Sequence, residues 1–153
     1  MAGENRTVLF LCTGNYYRSR HAEAVFNHLA AAADLPWRAT SRGLAIELGV
    51  NNVGPMAQAT VARLRVLAIP HEPYLRMPAR VGAEDFAAAD LVVALKEAEH
   101  RPLMMDRHPE WAGRAEYWAV HDVDFAPPEA ALPEIEERVR ELIARLAGRN
   151  STD

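Results

Sequence analysis

The stretch that most constrains this chain joins an apolar run, Val8-Leu9-Phe10-Leu11, through Cys12-Thr13-Gly14-Asn15-Tyr16-Tyr17-Arg18-Ser19 to a helical pattern that starts near Arg18. It reads as strand, loop, helix. A loop of this kind turns its backbone N–H groups inward against a helix N-terminus, so it attracts a dianion and favours a thiolate. Cys12 is then a candidate nucleophile. Arg18 carries a planar guanidinium that can bind two oxygens of one anion, which lysine cannot do. Ser19 can hydrogen-bond the thiolate. The competing reading makes Cys12 an inert small apolar residue at a strand end. Gly14 and Asn15 weigh against it, because both tolerate left-handed backbone angles where an anion-binding loop has to curl.

Beyond this unit, strand and helix patterns alternate, which predicts an α/β fold: a doubly wound, four-stranded parallel sheet with helices on both faces. Candidate strands are residues 7–12, 37–41, 90–95 and 115–120. After the first strand, Ala22, Val25, Phe26, Leu29 and Ala33 fall on one helical face, and Pro36 closes that region. A second helix is expected from Pro55, a good first-turn residue, to about Ala68, with Ala57, Val61, Leu64 and Ala68 inward. A short helical turn is expected over 84–89, and a helix with an irregularity at Pro102 over 97–105. The last helix has the clearest pattern: Leu132, Ile135, Val139, Leu142, Ile143 and Leu146 form an apolar stripe, with Glu134/Arg138, Glu136/Arg140 and Glu141/Arg145 as i,i+4 pairs outside it and Gly148 as its end. Residues 42–55, with Gly43, Gly49, Asn51, Asn52 and Gly54, read as a loop. Loops at the carboxyl ends of parallel strands rim the site in such folds.

A length of 153 residues, half of them apolar, suits one buried core, so a single domain over 1–153 with an ordered core of about 6–148 is expected. The net charge of −4 offers no basic field for nucleic acid. No apolar run reaches membrane-spanning length, and the first six residues lack the apolar core of a signal peptide. A cytoplasmic protein is expected, and a single cysteine suits a reducing compartment. His71, His100, His108 and His121 are scattered without metal-ligand spacing; they read as surface or structural, and neither a metal nor a cofactor is expected.

The opening motif, with Ala22-Glu23-Ala24 after Arg18-Ser19, resembles the low-molecular-weight protein tyrosine phosphatase family, which also includes thiol-dependent arsenate reductases. The likeness is close over residues 7–30 and looser afterwards. Tyr17 stands where most members carry a second Cys, and Arg20 where they usually have Pro. The resemblance implies a cysteine nucleophile at Cys12, phosphate-binding contacts from residues 13–19 (Thr13, Gly14, Asn15, Tyr16, Tyr17, Arg18, Ser19), and an Asp on a late loop as proton donor. Asp122 keeps the family's distance from Trp118, but Val123 replaces the Pro that follows it, and Asp124 is the alternative acid. Ser41 matches the serine that holds the loop asparagine, here Asn15. Tyr16 and Phe125 would be pocket walls. Three functions stay open: hydrolysis of a phosphorylated protein or small aryl phosphate through a cysteinyl-phosphate, arsenate reduction with an external low-molecular-weight thiol, and phosphate binding without catalysis.

Overall fold

A computed structural model describes residues 5–120 and 127–151. Four strands form one parallel sheet in the order β2-β1-β3-β4: β1 Arg6–Cys12, β2 Trp37–Gly43, β3 Leu91–Ala94 and β4 Glu116–Tyr117. Strand β1 is central, and its residues 8–12 are buried because the sheet is covered on both faces. Alternate side chains of β1 go to opposite faces. Val8 and Phe10 join the larger core with α1 (Arg18–Ala32), α2 (Gln58–Val66) and α6 (Pro128–Ser151), where Phe10 meets Phe26 and Trp118 at ring separations of 6.0 and 5.7 Å. Leu9 and Leu11 face Phe86 of α3 (Ala83–Ala88) and Met104 of α4 (Glu97–Arg107), with α5 (Pro109–Ala112) beside them. The architecture is the doubly wound α/β fold expected from the alternation of patterns. No described helix is long and apolar enough to cross a membrane.

Several element ends depart from expectation, each for a local reason. Helix α2 starts at Gln58, not Pro55: Ala57 is extended (φ −60°, ψ 135°) and its N–H donates to the Tyr16 carbonyl at 3.0 Å, so 55–57 is tied to the loop before the helix can begin. Ala33 and Ala68, expected to face inward, are exposed and lie past their helices. The chain reverses there through left-handed residues other than glycine, Asp34 (φ 56°) and Ala68 itself (φ 58°). Strand β4 is shorter than 115–120, although Trp118 and Val120 still donate backbone bonds to the Ala94 and Leu95 carbonyls. Gly148 does not end the last helix, which continues to Ser151. The i,i+4 pairs of that helix are replaced: Arg140 pairs with Glu137, Arg138 with Glu141, and Arg145 with Glu116 of the sheet edge. Glu136, placed outside by the pattern, is buried and accepts from Arg63 and His21, joining α6 to α2 and α1.

Candidate active site

Parallel register sets Cys12 beside Gly43 at the carboxyl ends of β1 and β2. Residues 13–17 then turn into α1. Asn15 takes the left-handed conformation (φ 51°), whereas Gly14 does not need one. The glycine the turn requires is Gly43: a Cβ there would lie 2.9 Å from the Thr13 carbonyl oxygen and 3.1 Å from the Asn15 Cβ, too close for any side chain against the loop. Tyr17 precedes α1 with no side-chain cap, so the first-turn N–H groups, which have no acceptor within a helix, point toward the loop.

Asn15 is the hub behind the turn. Its Nδ2 donates to Ser19 Oγ (2.9 Å) and Ser41 Oγ (3.0 Å), while its Oδ1 accepts from the Ala79 N–H (3.0 Å). Because Ser41 receives this proton, its hydroxyl donates onward to Glu23 Oε1 at 2.6 Å, and Arg76 closes the network on Glu23 and Ser41. Ser19 Oγ lies 3.0 Å from Cys12 Sγ. With Asn15 donating to Ser19, the serine hydroxyl can spend its own proton on a thiolate.

Arg20, in place of the family's proline, is fully buried. Its Nη1 donates to the Asn15 and Pro55 carbonyls at 2.9 and 3.0 Å, and its Nη2 to those of Tyr74 and Arg76. One side chain thus fastens the loop to the two segments that flank it. Burial, then the nearby Arg76 charge, lower its pKa to about 10, so it remains a cation at neutral pH.

Arg18 lines the cavity above Cys12, and its Nη1 and Nη2 also contact Glu99 of α4 at 3.3 and 2.8 Å. Nη1 reaches the Val120 carbonyl too, at 3.2 Å. Thr13 Oγ1 donates to Glu99, and His100 Nε2 lies 3.2 Å from Thr13 Oγ1. Burial opposes charge on Glu99, but the hydrogen bonds from His100, Arg18 and Thr13 outweigh it and hold this carboxyl well below the usual range. The cavity measures about 290 Å³. Cys12, Thr13, Arg18, Tyr16, Tyr17 and Leu48 are among the residues that line it. The Tyr16 hydroxyl donates to the Val53 carbonyl at 2.5 Å, which pins the rim loop.

Of the residues singled out in the sequence, Cys12, Thr13, Gly14, Tyr16, Tyr17 and Arg18 surround this cavity, and Asn15, Ser19 and Ser41 stand behind the loop. Asp122, Asp124 and Phe125 lie outside the described residues. Glu99, His100, Glu23, Arg76 and Arg20 were not recognised as site residues. Glu99 and His100 follow β3 at its carboxyl end, where such folds build sites, and that position was the available signal. Among the described residues no group of three His, Cys, Asp or Glu side chains could hold a metal ion.

The doubly wound parallel fold places a cysteine and an arginine around a tight turn at the carboxyl end of its central strand, beside a cavity that both line. The chain belongs to the low molecular weight phosphotyrosine protein phosphatase family, whose model matches residues 7–151. Solved structures with the same fold include YfkJ from Bacillus subtilis, 23% identical over 97% of this chain and 99% of that one, at a TM-score of 0.82. A low molecular weight protein tyrosine phosphatase from T. tengcongensis is 26% identical, covering 95% and 99% of the two chains at a TM-score of 0.74. A thioredoxin-dependent arsenate reductase from Corynebacterium glutamicum is 21% identical over 96% of this chain and 64% of that one, at 0.69. A search of curated proteins found no match.

Proposed function

We propose that the protein hydrolyses phosphomonoesters through a cysteinyl-phosphate intermediate. The observation that carries this reading is that Cys12, whose Sγ lies 3.0 Å from Ser19 Oγ, lines a cavity that Arg18 also lines. In the first step the Cys12 thiolate attacks phosphorus, the S–P bond forms and the ester P–O bond breaks. The loop N–H groups and Arg18 bind the three equatorial oxygens; preorganised donors of this kind are the main requirement of phosphoryl transfer. Asp122, carried over from the family resemblance with Asp124 as alternative, protonates the leaving oxygen. In the second step water attacks phosphorus, the same carboxylate takes its proton, and the S–P bond breaks to release phosphate and the thiolate.

An aryl leaving group is favoured, because Tyr16 and Leu48 line the cavity with flat and apolar surface. A phosphorylated protein or small aryl phosphate is the substrate class proposed, and the cytoplasm its setting. A second reading draws on the arsenate reductase among the structural relatives. Arsenate has the shape and charge of phosphate, so Cys12 could form a thiol–arsenate adduct. With one cysteine in the chain, an external low-molecular-weight thiol would have to supply the reducing electrons. The purified protein, assayed on an aryl phosphate beside arsenate with glutathione or mycothiol, separates the two. Phosphate release without thiol oxidation supports hydrolysis; arsenite formation without phosphate release supports reduction.

A further inference from the structure

Four arginines surround the Cys12 turn and the Ser41 side chain behind it, and three of them meet a carboxylate. Arg18 lies 2.8 Å from Glu99, Arg76 2.9 Å from Glu23 and Arg42 3.3 Å from Asp85. Arg20 differs. Its hydrogen bonds go to the carbonyls of Asn15, Pro55, Tyr74 and Arg76, and among the described residues no carboxylate comes within ion-pair distance of it. The charges of the other three are answered, so Arg20 leaves the surroundings of the turn with an uncompensated positive charge. The side chain is fully buried. Carbonyl dipoles make that burial tolerable without cancelling the charge, and a buried charge is screened little by salt. The proline usual in the family at this position would bring no charge at all.

The contact with the loop aims this charge at the cavity. Nη1 donates to the Asn15 carbonyl at 2.9 Å. A trans peptide is planar and sets its C=O and N–H on opposite edges, so the Tyr16 N–H points away from the guanidinium. Tyr16 lines the cavity. A cation on the carbonyl oxygen polarises the peptide and makes its N–H a stronger donor. The next two carbonyls of the turn, Tyr16 and Tyr17, accept from the backbone N–H groups of Ala57 and His21 at 3.0 and 3.1 Å, which are neutral donors. Burial and the Arg76 charge lower the Arg20 pKa, whereas Glu23 and then Cys12 raise it, so the guanidinium is within electrostatic reach of the nucleophile.

We infer that Arg20 is a positioning residue that supplies charge to the site: acting through the Asn15–Tyr16 peptide, its unanswered cation makes the cavity select a dianionic oxyanion over a monoanionic one. This rests on the reading of the cavity as the phosphoryl site. A purely mechanical role, in which Arg20 only holds the loop to its neighbours, would leave the preference between anions of different charge unchanged.

The test compares two probes that carry the same tetrahedral oxyanion on an aryl ring: phenylphosphonate, a dianion in mildly alkaline solution, and benzenesulfonate, a monoanion. Binding is followed by calorimetry in a Cys12→Ser background, which keeps the thiolate charge from contributing. Coulomb energy scales with ligand charge, so Arg20→Met should weaken benzenesulfonate about 10-fold and phenylphosphonate about 100-fold. Arg20→Lys should leave both within about threefold, because the ammonium keeps the charge while losing the fork that spans four carbonyls. That variant decides the matter if Arg20→Met does not fold. Equal weakening of the two probes by Arg20→Met, or weakening of phenylphosphonate by Arg20→Lys beyond that range, would assign Arg20 to loop geometry alone and overturn the inference. Failure of phenylphosphonate to bind while Arg20 is intact would overturn it too. The predicted pattern, together with no aryl phosphate turnover by the wild type, would support the inference and count against the hydrolytic reading alone.

Discussion

Arg20→Met removes a fully buried cation together with the four carbonyl contacts it makes, to Asn15, Pro55, Tyr74 and Arg76. Four charge-assisted bonds at about 1.5 kcal/mol each amount to about 6 kcal/mol of lost interaction. Against this, the charged guanidinium is disfavoured where it sits. Its pKa is lowered from the ordinary arginine value to about 10, and a drop of that size corresponds to about 3 kcal/mol that the substitution recovers. The net expectation is a loss of about 3 kcal/mol, a large fraction of the 5–15 kcal/mol typical of a domain. Urea unfolding followed by circular dichroism should show a lower midpoint with unchanged slope. Arg20→Pro should lose about as much: proline is tolerated in the first helical turn but offers no donor to the four carbonyls. A midpoint for Arg20→Met corresponding to less than about 0.5 kcal/mol would refute the clamp, since surface substitutions stay within that range.

Acid should act through Glu136, whose pKa is lowered to about 2: burial opposes its charge, but bonds from Arg63 and His21 outweigh it. A depressed carboxylate contributes stability above its unfolded pKa of 4.5 that is lost as pH falls toward about 2. His21, lowered mainly by burial, acts in the same direction below 6.5. Glu136→Gln should therefore flatten the loss of stability between about pH 4.5 and 2 in urea titrations, and an unchanged slope would contradict the assignment. For the proton donor, Asp122→Asn should slow phenyl phosphate far more than nitrophenyl phosphate, which departs with little protonation, and should flatten the basic limb of the pH–rate profile. If Asp124→Asn does this instead, the role moves to Asp124. Tyr17 stands where a second cysteine could shelter an oxidised Cys12 as a disulfide, so peroxide without added thiol should drive Cys12 to irreversible acids; full recovery of activity with reductant would contradict that expectation.

The parallel sheet and the Cys12 turn were legible because both rest on local pattern: an apolar run that needs cover on two faces, and a loop sequence that suits an anion. What escaped the sequence were groups whose roles depend on distant partners. Arg20 stands out in the sequence only as a departure from the family's proline, and its carbonyl partners emerge only when residues 55, 74 and 76 are brought around it. Glu136 sits on the polar side of its helix pattern, yet Arg63 and His21 make its burial tolerable. Glu99 and His100 are separated from Thr13 by 86 and 87 positions and meet it only because β1 and β3 are neighbours. Helix ends were misplaced where Asp34 and Ala68 adopt left-handed angles without a glycine to announce them.

The most direct measurement of the central claim replaces the single sulfur nucleophile while keeping the anion site. With Cys12→Ser, aryl phosphate hydrolysis should be abolished, whereas phosphate or vanadate binding, followed by calorimetry, should persist because the loop N–H groups and Arg18 remain. Turnover retained in that variant would contradict the cysteinyl-phosphate mechanism.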